Sequence, residues 1–77
     1  MSGMKADKEI DCVGLFCPEP IFRARTALDE MGEGQVLKVV SDDPAAEEDL
    51  RRLAYRLRYE VLEVTRDGDQ VTVYIRK

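Results

Sequence analysis

Two periods of hydrophobic and polar positions organise the chain. In Lys8–Gly14, Ile10 and Cys12 fall on one side and Glu9 and Asp11 on the other, which predicts a short strand with the first pair facing the core. Gly14 permits the turn that follows. From Pro18 to Met31 the period lengthens: Ile21, Ala24, Leu28 and Met31 recur at helical spacing and predict a helix with that stripe buried. Pro18 suits the first helical position, where a missing N–H bonds nothing, and Gly32 and Gly34 stop the helix. Cys17 then falls at the N-cap.

Gln35–Ser41 is apolar and β-branched, as a central strand should be. Asp43 as N-cap and Pro44 at the first position open a second helix over Pro44–Leu57, lined on one side by Ala46, Leu50, Leu53, Ala54 and Leu57. Glu47, Glu48 and Asp49 sit in its first turn and Arg51, Arg52 and Arg56 follow, an order that complements the helix dipole. Tyr59–Arg66 and Gln70–Lys77 read as strands joined by a tight turn at Asp67-Gly68. Val71, Val73 and Ile75 alternate with Thr72 and Tyr74, so one face should be buried and the other open. The order is β-α-β-α-β-β. A chain this short has no third layer, so both helices cover one face of a four-stranded sheet, an α+β two-layer sandwich. Right-handed crossovers make the first three strands parallel, and the hairpin makes the last antiparallel. A single domain spans residues 1–77, with 1–7 expected to be disordered.

Composition narrows the chemistry. The chain has 77 residues, 44% hydrophobic and 36% charged, which fits one globular domain with a small core. No apolar run approaches the roughly 20 residues of a membrane helix, and the polar N-terminus lacks the apolar centre of a signal peptide. A cytoplasmic protein with no membrane contact is expected. The formal net charge of −4 argues against stable nucleic-acid binding. There is no histidine, which removes Cys-His pairs, Ser-His-Asp triads and imidazole metal sites together. Two cysteines are too few for a disulfide-built scaffold.

What remains is a thiol. At a helix N-cap Cys17 would meet unpaired N–H donors and the positive end of the dipole, so a depressed thiol pKa is expected. Pro18 and Pro20 remove two donors, leave those of Glu19, Ile21 and Phe22, and stiffen the turn. Against this stands the commoner fate of a free cysteine, which is packing. Cys12, on the core face, is expected to be buried and inert. Asp11 either holds the Gly14 loop by accepting from its amides or is a solvated strand end. Arg23 and Arg25 either guide an acidic or phosphate-bearing partner, or form an ordinary solvated face. Phe22 does not fit the buried stripe, and with Phe16 it would make an apolar contact spot beside Cys17. Arg51, Arg52, Arg56 and Arg58 read as salt-bridge and dipole chemistry. On these residues Cys17 stays open as a reactive thiol suited to hand-to-hand transfer between proteins, as the cysteine of a redox sensor in which Cys12 resolves its oxidised form, or as the inert cysteine of a binding module.

The stretch DCVGLFCPEP places Asp11, Gly14, Cys17, Pro18 and Pro20 in a pattern that resembles the TusA/SirA-like family of small sulfur-carrier proteins. The likeness runs from Lys8 to Lys77 and includes Asp42-Asp43-Pro44-Ala45-Ala46 and the strand Glu60–Val64. It implies a sheet in the order 1-2-4-3. It implies that Cys17 carries sulfur as a persulfide, with no other cofactor, and that Asp11, Gly14, Pro18, Glu19 and Pro20 position it. The donor would be a protein such as a cysteine desulfurase or a rhodanese-like protein. The acceptor would be a protein of tRNA thiolation, cofactor synthesis or sulfur oxidation. Phe16, Phe22, Arg23 and Arg25 would meet these partners. A carrier needs no general base of its own, because the departing Cys17 thiolate is the leaving group. The chain departs from the family pattern at Phe16, where a basic or polar residue is frequent, and at Arg58-Tyr59, where a Gly-His pair is frequent.

Overall fold

The structure is a computed structural model that describes residues 5–77. The expectation for residues 1–7 therefore lies, for 1–4, outside the described residues. The order is β1 (Lys8–Cys12), α1 (Glu19–Glu30), β2 (Val36–Ser41), α2 (Ala46–Leu57), β3 (Glu60–Asp67) and β4 (Gln70–Arg76). The sheet runs β1-β2-β4-β3. β1 and β2 are parallel, from Lys8↔Leu37 to Cys12↔Ser41, and β4 is antiparallel to both β2 and β3. The connection lengths explain this: each crossover carries a helix, whereas two residues suffice for the final hairpin.

Both helices lie on one face of the sheet. Leu28 from α1 and Leu50 from α2 pack among Leu37, Val39, Val73 and Ile75, all fully buried. The α1 stripe differs from the expected one. Pro20 and Ala27 are buried with Ala24, Leu28 and Met31, while Ile21 is half-buried. A helix that starts at Glu19 turns Pro20 inward one step before Ala24, and Ile21 moves to the rim. On α2, Ala46, Leu50, Leu53 and Ala54 are buried and Leu57 is half-buried.

The sheet's other face is not uniformly open. Tyr74 is only 4% exposed. Its ring lies between the cross-strand neighbours Lys38 and Glu63, with the Lys38 ammonium 6.0 Å from the ring centroid. The hairpin turn also sits one residue later than expected. Asp67 pairs with Gln70, so Gly68 and Asp69 are the turn residues, and Gly68 has φ 61°.

The helix ends show how local chemistry sets boundaries. α2 does not begin at Pro44; Pro44 and Ala45 form a turn in which Asp43 Oδ1 accepts the Ala45 N–H (3.0 Å) and the Asp43 carbonyl accepts the Ala46 N–H (3.0 Å). α2 closes on Arg58, a non-glycine residue at φ 63°. Its N–H reaches the Tyr55 carbonyl (3.2 Å) and the Tyr59 N–H the Ala54 carbonyl (2.8 Å), a Schellman pairing. α1 has no basic residue in its last turn; Lys77 supplies the cation instead, its Nζ 2.6 Å from the Leu28 carbonyl and 2.9 Å from that of Met31. Lys77 N–H also donates to the Gln35 carbonyl, and Asp7 exchanges two hydrogen bonds with Val36. Among the described residues, no helix is long and apolar enough to cross a membrane.

Candidate functional site

The site forms where β1 and β2 end side by side. Because Cys12 pairs with Ser41, the loops that leave them are neighbours. Cys12 itself is fully buried and free, and burial pushes its thiol up. The chain then turns at Val13-Gly14. Asp11 Oδ1 accepts the Val13 N–H (2.9 Å), Asp42 Oδ1 accepts the Gly14 N–H (2.9 Å), and the Cys12 carbonyl accepts the Leu15 N–H (3.1 Å). Gly14 has φ 87° with open space where a Cβ would stand, so backbone conformation rather than crowding calls for glycine here.

Cys17 follows, exposed and free, with its N–H donated to Asp43 Oδ2 at 2.8 Å. The Cys17–Pro18 peptide bond is cis. Pro18, not Cys17, is the N-cap of α1, and Pro20 occupies the second helical position. This corrects the expected cap. The helical amides are also less available than expected. The Glu19 N–H goes to the Phe16 carbonyl (2.9 Å) and the Phe22 N–H to the Pro18 carbonyl (3.2 Å).

The expected depression of the Cys17 pKa is reversed. Interaction with the Asp49 carboxylate chiefly pushes the thiol above its ordinary range. Partial loss of water and the charges of Asp49 and Asp43 act in the same direction. Two fixed carboxylates outweigh the partial charge of a helix end whose first donors are already engaged.

The remaining candidates are arranged around this loop. Phe16 is 71% exposed and Phe22 60%. The Glu19 carboxylate pairs with Arg23 at 3.5 Å. Arg25 stands exposed on α1. On α2, Arg51 pairs with Glu47 and Arg52 with Glu48 at helical spacing, while Arg66 reaches Glu47 from β3. No group of three His, Cys, Asp or Glu side chains among the described residues is placed to hold a metal ion.

Asp42 and Asp43, at the entry to α2, also hold the cysteine loop, a contact that the helix-start pattern of the sequence does not contain. The usable signal was the parallel pairing of the first two strands. It sets the loop after β1 against the entry to α2, so the carboxylates that precede α2 fall within reach of the loop's amides.

Residues 8–77 match the family model described as sulfurtransferase TusA. The chain is 43% identical over 70 residues to a protein of Archaeoglobus fulgidus, with 91% of each chain covered. It is 38% identical over 71 residues to the sulfur carrier protein TusA of Allochromatium vinosum, covering 92% of this chain and 93% of that one. A crystal structure of a SirA-like protein from Desulfitobacterium hafniense superposes with a TM-score of 0.81 at 34% identity, covering 90% of this chain and 95% of the other.

Proposed function

The chain belongs to the TusA family of sulfurtransferases and sulfur carriers, and from that premise we propose that Cys17 carries sulfane sulfur as a persulfide between two proteins. The observation that carries this reading is an exposed, free Cys17 at the mouth of α1, its backbone tied down by Asp43 at 2.8 Å. In loading, the Cys17 sulfur attacks the outer sulfur of the donor's persulfide. The new S–S bond forms on Cys17, the donor's own S–S bond breaks, and the donor cysteine leaves as a thiolate. In unloading, an acceptor thiolate attacks the outer sulfur and Cys17 is the leaving group. Neither step needs a metal, a histidine or a bound cofactor.

The donor is a persulfide-bearing protein such as a cysteine desulfurase or a rhodanese-like protein. The acceptor serves tRNA thiolation, cofactor synthesis or sulfur oxidation. Phe16 and Phe22 offer these partners an apolar contact beside the sulfur, flanked by Arg23 and Arg25. Asp11, Gly14, Pro18, Glu19 and Pro20 shape the loop that presents it. Two free thiols suit the reducing cytoplasm, where such a relay would run.

Incubation with a cysteine desulfurase and free cysteine tests the reading by intact-protein mass. The wild-type chain should gain one sulfur atom, and Cys17→Ser should gain none. A gain that persists in Cys17→Ser overturns the assignment.

A further inference from the structure

We propose that Asp42 and Asp43 are specificity-determining residues that close the Cys17 loop to small anionic sulfur donors. This role rests on Cys17 being the persulfide-bearing residue. A turn that opens a helix commonly offers an anion its free amides. Here those amides are already engaged. Asp42 Oδ1 accepts the Gly14 N–H (2.9 Å), Asp43 Oδ2 the Cys17 N–H (2.8 Å) and Asp11 Oδ1 the Val13 N–H (2.9 Å). The Leu15 and Glu19 N–H groups go to the Cys12 and Phe16 carbonyls. An arriving anion meets three carboxylates where it would need donors.

The cations nearby do not cancel this charge. Arg23, on α1, is paired with Glu19 (3.5 Å). Arg52, on α2, is paired with Glu48 (2.6 Å) and approaches Asp49 at 3.9 Å. On the hairpin side, Asp42 and Asp43 line a recess of about 310 Å³ with Asp69 and Arg66, and Arg66 is committed to Glu47. Asp43 is only 9% exposed, and its other oxygen holds the Ala45 N–H at 3.0 Å, so its carboxylate is fixed in place before any donor approaches. The upward push on the Cys17 thiol, from Asp49 first and Asp43 last, has the same sign.

The disfavoured chemistry is that of a donor whose transferable sulfur is bonded to a sulfonate group, thiosulfate being the simplest. There the Cys17 sulfur would attack the outer sulfur, the bond to the sulfonate sulfur would break, and sulfite would leave with the electron pair. The Cys17 proton would pass to the transferred sulfur. Such a dianion must bring its charge up to the fixed carboxylates of Asp42 and Asp43, where like charges repel. A protein persulfide framed by lysines or arginines of its own meets no such barrier, because the same carboxylates then attract it.

The experiment compares two alkylating agents of similar shape, neutral iodoacetamide and anionic iodoacetate, with labelling of Cys17 read by peptide mass. The ratio of their rates cancels the thiolate fraction and isolates the field at the sulfur. At low salt the ratio should be several-fold larger for the wild-type chain than for an unstructured peptide spanning Leu15–Pro18. It should fall towards the peptide's at about 1 M salt, where charges are screened over about 3 Å. Asp42→Asn and Asp43→Asn keep an acceptor oxygen for the loop amides and should each reduce the ratio. Glu33→Gln, exposed beyond the far end of α1, should not. A wild-type ratio equal to or below the peptide's overturns the proposal, whether or not the variants fold. So does a ratio that neither aspartate variant lowers, or that Glu33→Gln lowers as much. Failure of the wild-type chain to gain sulfur from a desulfurase would instead overturn the carrier reading and leave the ratios standing.

Discussion

Asp43 uses its two carboxylate oxygens on amides from different parts of the chain, Ala45 at the start of α2 and Cys17 before α1. Its own N–H is bonded to the Ser41 hydroxyl (3.1 Å), so the whole residue is braced. Asp43→Ala removes a helix-start acceptor and leaves a partly buried amide without its partner. A loss of about 1–3 kcal/mol is expected, measured as a lower urea midpoint, together with faster proteolysis in the Phe16–Glu19 loop. Cys12 gives a prediction in pH. Its folded pKa is raised, so the folded state keeps the proton to higher pH than the unfolded chain. That contribution is full below the ordinary thiol value of about 8.5 and is lost as pH rises through the folded value. Urea midpoints at pH 7 and pH 10 should therefore fall further apart in the wild type than in Cys12→Ala. The contrast between a buried Cys12 and an exposed Cys17 was legible from alternation and position. The proton affinity of Cys17 was not, because it depends on a carboxylate 32 residues away in the sequence. A one-dimensional reading sees the helix dipole and misses the acid facing it.

At the scale of elements, periodicity placed both helices and all four strands. The boundaries moved where side chains replaced expected backbone roles, as at Pro44 before α2 and Pro18 before α1. The irregularity between Val61 and Glu63 in β3 was invisible in the sequence. No glycine or proline marks it, and only pairing with β4 defines it. The end of α2 carries a testable cost. Arg58 adopts φ 63°, a region that costs a residue with a Cβ about 1–2 kcal/mol. Glycine has no such penalty but loses more chain entropy on folding. Arg58→Gly should still be more stable by about 0.5–1 kcal/mol. For a domain of this size that is a rise in Tm of about 2–8 °C. An unchanged or lower Tm would show that the Arg58 side chain compensates for its backbone.

Across the whole molecule, the mixed sheet with both helices on one face followed from two long crossovers and one short hairpin. The 1-2-4-3 order came from the family resemblance, since connection lengths alone do not choose which neighbour β4 inserts between. Surface consequences were legible only in part. Phe22 stood out as a misfit on its helix, and Phe16 as an apolar residue beside the thiol. Val13, exposed on the same loop, is masked in the sequence because it follows directly on the apolar positions of β1. Phe16→Ser combined with Phe22→Ser removes two side chains that contribute little to the core. Its melting temperature should match the wild type, while the concentration of carrier needed to half-saturate a desulfurase should rise several-fold. Unchanged saturation would assign docking to another face.

Asp7 and Lys77 bind the adjacent residues Val36 and Gln35, at the end of the sheet away from the Cys12↔Ser41 pair. Asp7 and Lys77 thus lie towards one end of the sheet and the sulfur towards the other. Units of this shape tolerate being strung in tandem, or spliced into a larger polypeptide, through short tethers.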